Sequence, residues 1–153
     1  MIGFFKSFFG SSVNDSQIHE DAARAMADLD IDMAQAAHQN WKLRLLAYLN
    51  GSSNEDLSAE TICFDDRCDL GQWIHGGGKA SLGRFPGFTA LMGHHKMFHY
   101  AASNVVALAA AGKHAEAHHM LDGQFESFSR SVIAELETLR QISTSRRGTR
   151  QRA

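Results

Sequence analysis

The chain is poor in the residues that interrupt or cross-link a fold. Of its 153 residues only one is proline and two are cysteine, and extended β-branched or aromatic runs are missing. With so few helix breakers and so little strand-forming sequence, the composition points to an all-α chain. Two cysteines, Cys63 and Cys68, are too few for a disulfide framework. No segment approaches the ~20 consecutive apolar residues that cross a bilayer. The opening "MIGFFKSFFG" has one early lysine but neither the long apolar core nor the small-residue cleavage site of a secretory signal. A cytoplasmic, reducing setting is the expectation, and in it a thiol is free for metal or redox chemistry. Positive charge on the body is scarce too. The end "STSRRGTRQRA" carries four arginines and no acid, so a whole-chain charge of −2 leaves −6 on residues 1–142. A nucleic-acid binder would place a basic stripe on its folded body, so that class is not favoured.

What is present suits one compact domain with its own core: 44% of residues are hydrophobic and 21% are charged. Three parts are expected. Residues 1–14 form a Phe-rich segment, 15–142 a helical bundle, and 143–153 a basic, disordered tail. Phe4, Phe5, Phe8 and Phe9 would line one side of a short helix. Such a helix packs on the domain as a terminal turn or, as the sharper alternative, docks on a partner or membrane interface.

Along the body, "SSVNDSQ" supplies capping residues, and Ile18, Ala22, Ala25, Met26 and Leu29 then recur at helical spacing. "DLDID" reads as a joint, with Asp30 or Asp32 able to cap the next helix. That helix, "MAQAAHQNWKLRLLAYLNG", stops at Asn50-Gly51. Residues 52–67 read as polar and irregular. "CDLGQWIHGGGKASLGRFPG" reads as a short helix followed by a glycine-rich loop. A long helix runs from Pro86 to about Ala111, and a last one from about His114 to Gln141. The expected architecture is an antiparallel four-helix bundle with an additional short helix that carries Cys68.

The stretch "LMGHHKMFHYAA" puts three histidines into an otherwise apolar helix. His95 and His99 are four residues apart and share one face, a spacing at which two imidazoles can reach one cation. His94 lies about 100° around the helix and should miss it. In "KHAEAHHM", His114 and His118 have the same spacing, with His119 alongside, but no bulky apolar neighbours flank them. They read as a solvated face. His95 and His99, beside Leu91, Met92, Phe98 and Tyr100, are expected to point inward.

A buried pair of imidazoles needs partners, because an unsatisfied polar group in a core costs about 1–3 kcal/mol. His38 sits on or beside the stripe formed by Ala34, Ala37, Trp41 and Leu45. Cys68 falls at the start of the short helix, where the N-terminus favours the thiolate that binds metal. Three histidines and this cysteine would complete a tetrahedral zinc shell.

"HQNWKLRLLAYL", "CDLGQWI" and "HKMFH", in that order, resemble the chemoreceptor zinc-binding domain of bacteria. The matching positions are His38 with Trp41, then Cys68 with Leu70, Gly71 and Trp73, then His95, Phe98 and His99. The resemblance spans about residues 30–140. It implies one zinc ion held by His38, Cys68, His95 and His99 in a helical bundle, usually a homodimer. It also implies a regulatory role on a chemotaxis receptor or a diguanylate cyclase, and links to the sensing of zinc or of oxidants such as hypochlorous acid. Cys68 would be the redox-sensitive ligand, with its glycine-flanked segment shifting on oxidation or loss of zinc. Trp41, Trp73 and Phe98 are expected to keep the ligands dry, with Asp65, Asp66 or Asp69 hydrogen-bonded to ligand imidazoles. His75 is expected to be exposed and Cys63 to be a buried spectator. Self-association is expected along the apolar seam from Ile18 to Leu29 and along the last helix.

Competing classes remain open at this point. A zinc hydrolase would need an open coordination position and a nearby carboxylate base. A carboxylate-bridged di-iron or oxygen-binding bundle needs two Glu-x-x-His elements, and the chain has one, Glu116 to His119. A dimerisation module with a purely structural zinc is the third alternative.

Overall fold

The structure is a computed structural model that describes Phe8 and residues 15–144, with the Asp15 side chain left out. The rest of the Phe-rich segment and the arginine-rich end of the tail lie outside the described residues. Among the described residues every regular element is helical. They are α1 (Asp15–Met26), α2 (Ile31–Leu49), α3 (Ala59–Ile62), α4 (Asp69–Trp73), α5 (Lys79–Leu82), α6 (Pro86–Ala110), α7 (His114–Met120) and α8 (Glu126–Thr144).

Local chemistry sets most of the boundaries. The Asp30 carboxylate accepts from the Met33 backbone N–H at 3.0 Å and so caps α2. Gly51, at φ +69°, ends that helix in the left-handed region that favours glycine. Pro86 opens α6, where its missing N–H costs nothing. α7 and α8 form one long arm joined by a π-turn at Leu121–Phe125.

The helices form a bundle in which α6 and α8 pack along each other, with α1 and α2 against α8. Leu45, Leu91, Phe98, Phe125, Val132 and Leu136 are fully buried at its centre. Ile18, Ala22 and Ala25 are at most 3% exposed. The α1 seam expected to mediate self-association is therefore largely consumed inside a single chain, and Leu136, Leu139 and Ile142 of α8 are buried with it. Asp21 is buried as well and is held by Arg84 across the fold.

Two segments differ from the sequence reading. The polar stretch 52–67 is not wholly irregular but contains α3, a single turn anchored to α6 by the Ser103 hydroxyl donating to the Ala59 carbonyl at 2.7 Å. The glycine-rich stretch after Trp73 is not a loop: the chain is helical from Asp69 to Leu82, with a kink at Gly76 (φ −109°, ψ −111°). Close packing explains why helix continues through "GGGK". A Cβ on Gly78 would sit 2.9 Å from the Trp73 carbonyl oxygen and 3.0 Å from the Phe88 ring. Glycine here lets α5 lie against its neighbours.

Trp73 ties this segment to the bundle. Its ring is 6% exposed, packs edge-on to Phe88, and donates from Nε1 to the Ala25 carbonyl at 2.8 Å. Trp73→Phe would keep most of the ring volume but leave that buried carbonyl without its partner. The expected loss is about 1–3 kcal/mol of unfolding free energy, read by urea denaturation of the metal-free protein. A midpoint and slope equal to wild type would show that the bond contributes nothing.

Candidate metal centre

Each of the four expected ligands comes from a separately determined piece of backbone. His38 is in the second turn of α2, four residues after Ala34, and its Nδ1–H donates to the Ala34 carbonyl at 2.6 Å. His99 is on α6 and donates from Nδ1 to the Ile62 carbonyl of α3 at 2.8 Å. A carbonyl only accepts, so both rings carry the proton on Nδ1 and present the Nε2 lone pair inward. His95, one turn before His99, is fully buried. Its Nδ1 lies 4.0 Å from an Asp65 carboxylate oxygen. Cys68 caps α4, and its sulfur accepts from the Gly71 backbone N–H at 3.3 Å.

These four side chains converge. One ligand atom from each of His38, Cys68, His95 and His99 lies within 4.8 Å of every other. The Cys68 sulfur is 3.3 Å from His95 Nε2 and 3.7 Å from His99 Nε2. In a tetrahedral zinc site, bond lengths of ~2.3 Å to sulfur and ~2.05 Å to nitrogen put those atoms ~3.6 Å apart. The observed pair brackets that value. His38 Nε2 is buried without any hydrogen-bond partner, a costly arrangement that a cation shared with the other three side chains would relieve.

Electrostatics favour the metal-binding forms of the imidazoles. Burial holds all three histidines below the usual imidazole range, and His95 is pushed down to about 2 with help from the neighbouring rings. They are neutral at physiological pH, as ligands must be. Cys68 behaves otherwise than the sequence reading expected. Burial pushes its thiol up, and the donors at the start of α4 offset this only in part. The cation itself would have to draw off the proton, so loading releases it.

The surroundings explain the sequence pattern around Cys68. A Cβ on Gly71 would lie 1.7 Å from the Asp65 backbone oxygen, so only glycine lets the chain before Cys68 fold back onto α4. Leu70 is 1% exposed and fills the core behind the cysteine. Phe98 is fully buried, with its ring 4.9 Å from that of His38. Trp41 is only half-buried: it lines a surface cavity of about 510 Å3, and the Arg44 guanidinium stacks on it at 3.9 Å. It is a wall of the mouth rather than a core aromatic. Cys68 and His99 also line this cavity, and Cys68 alone of the four is not fully buried. The sulfur is thus the candidate ligand nearest to solvent.

Other expected residues fall elsewhere. Asp69 is exposed, and it is Asp65 that faces a ligand ring. His75 is exposed but bonded to Asp65. Cys63 is half-buried, its thiol donating to the Glu60 carbonyl at 3.2 Å. His94 turns away to Glu135, 2.6 Å from its Nδ1. His114 and His119 are exposed and His118 half-buried, apart from the cluster. The Ala34 and Ile62 carbonyls were not legible in the sequence. The first follows from an i−4 backbone contact that any helical histidine can make, the second from a turn read as irregular.

Residues 38–106 match the family model of the chemoreceptor zinc-binding domain. This segment belongs to that family. The match begins at His38 and includes Cys68, His95 and His99. No curated protein and no solved structure matches the chain. The family is one of zinc-binding signalling domains and is not a known catalytic family. No helix among the described residues is long and apolar enough to cross a membrane.

Gly71→Ala tests how far this geometry depends on one backbone contact. The added methyl would displace either Asp65 or α4 and shift the Cys68 sulfur. Zinc affinity, measured by competition with a chromophoric chelator, should fall by at least about tenfold, while far-ultraviolet circular dichroism stays helical. Unchanged affinity would show that the approach of Asp65 to Gly71 does not position the sulfur.

Proposed function

We propose that this chain is a zinc-dependent regulatory protein in which His38, Cys68, His95 and His99 hold one zinc ion. The convergence of three inward-facing Nε2 atoms and one sulfur, one of those nitrogens buried without a partner, carries this reading. Bound zinc would supply positive charge that stabilises the Cys68 thiolate. Four protein ligands fill a tetrahedral shell and leave no place for a catalytic water, so the role is regulatory and not enzymatic. The cluster contains no carboxylate, which disfavours the carboxylate-bridged di-iron alternative.

The signal would be zinc availability or an oxidant. The cavity that reaches Cys68 supports either, since a chelator or a small oxidant can approach the sulfur without opening the bundle. Loss of the thiolate, by exchange or by oxidation to a sulfenic acid, would leave a weaker three-histidine site. The output would pass to a signalling partner of the chemotaxis-receptor or diguanylate-cyclase type in the cytoplasm, with the chain acting as a homodimer. Exposed Met33 and Leu43 on α2 are apolar residues that remain available for such contacts.

Purified protein should contain one zinc per chain by elemental analysis. Cobalt-substituted protein should show a sulfur-to-metal charge-transfer band that Cys68→Ser abolishes, with zinc affinity reduced about 100-fold or more. Iron with a visible absorption band and no zinc would overturn the reading. A purely structural zinc is separated from a sensory one by kinetics. Sensing requires chelator or hypochlorous acid to release the metal from folded protein, whereas structural zinc leaves only on unfolding.

A further inference from the structure

Asp65 occupies a position that the four-ligand reading leaves unexplained. One of its carboxylate oxygens, Oδ2, lies 2.9 Å from His75 Nε2 and 4.0 Å from His95 Nδ1. That His95 nitrogen is buried and has no hydrogen-bond partner. Of the three ligand rings, His38 and His99 are anchored through Nδ1 to backbone carbonyls, and His95 alone faces a carboxylate just beyond bonding range. The backbone on the other side of Asp65 is fixed, because its carbonyl oxygen rests against Gly71. His75 belongs to the kinked turn Ile74–Gly78, directly before Gly76, and its side chain is 42% exposed.

We infer that Asp65 is the positioning residue for His95 and that, through His75, it couples metal occupancy to the kinked turn at Gly76. The inference rests on the zinc reading above. An imidazole that donates electron density to a metal becomes a stronger donor at its other N–H, so binding increases the pull between His95 Nδ1–H and the Asp65 carboxylate. Closing that gap moves the Asp65 carboxylate, whose Oδ2 His75 already holds. The bond to His75 then transmits the displacement to Ile74–Gly78, the one place where helix geometry is broken between Cys68 and α5. His75 makes its hydrogen bond towards the centre to Asp65, and that bond joins the two residues into a unit rather than two independent supports.

The unit makes a non-additive prediction. On the full chain, Asp65→Asn should weaken zinc binding about 10- to 100-fold, and His75→Gln, at an exposed side chain that folding tolerates, by a smaller factor of about 2 to 10. The double variant should match Asp65→Asn alone, since the neutral amide no longer draws on the His95 N–H and His75 then has no carboxylate charge to hold in place. Zinc should slow amide exchange at residues 74–78 in the wild type and lose that effect in Asp65→Asn. Multiplicative losses, or exchange at the turn that ignores zinc in the wild type, would overturn the coupling. So would His75→Gln with wild-type affinity, even if Asp65→Asn failed to fold. If the wild type binds zinc and only these variants behave as wild type, the coupling alone fails. If the wild type binds no zinc, the four-ligand site fails with it.

Discussion

Three imidazoles are buried in the apolar interior of this bundle with their free lone pairs aimed at one point. Hydrogen bonding to the bundle itself does not resolve that arrangement. Two rings spend their N–H on backbone carbonyls, and the opposite nitrogen of His38 reaches nothing. A buried polar atom without a partner costs about 1–3 kcal/mol, a cost that a cation at that point would offset. Burial that keeps the histidines neutral also keeps the thiol of Cys68 protonated. The same dry environment that makes good nitrogen ligands thus leaves the sulfur dependent on the metal.

The four candidate ligands are held unequally. His95 and His99 ride on the longest helix, packed between α8 and the rest of the core, and His38 is fixed within α2. Cys68 instead caps a five-residue helix, half-buried, beside a cavity open to solvent. Three candidate ligands belong to the buried frame and the fourth to its more accessible margin. A stimulus that acts on zinc coordination would act at the sulfur first, and the segment it would disturb is the short α4 rather than the bundle. The helical continuity from Asp69 to Leu82 means that such a disturbance propagates through a kinked helix, not through a slack loop.

Glycine contributes by permitting close approach. Gly71 admits the Asp65 backbone, and Gly78 admits Trp73 and Phe88. In the sequence a run such as "GGGK" suggests flexibility, because glycine is the least restrained residue when exposed. Packing reverses that meaning here: where a missing Cβ lets two backbones meet, glycine fixes a contact that any other residue would prevent.

The sequence by itself determined the helical class, the main helix ends, and the inward face of His95 and His99. Those properties depend on spacing, capping and proline or glycine placement within about one helical turn. It also carried the order of the four candidate ligands, since the family pattern runs through them. Tertiary structure decided what depended on contacts between distant segments. It chose Asp65 over Asp69 as the carboxylate facing a ligand and turned His94 towards Glu135. It placed Trp41 at the cavity mouth and buried most of the α1 seam within a single chain. It also raised the Cys68 thiol against the pull of its own helix N-terminus. Desolvation and orientation depend on which surfaces meet, and no local pattern of residues records that.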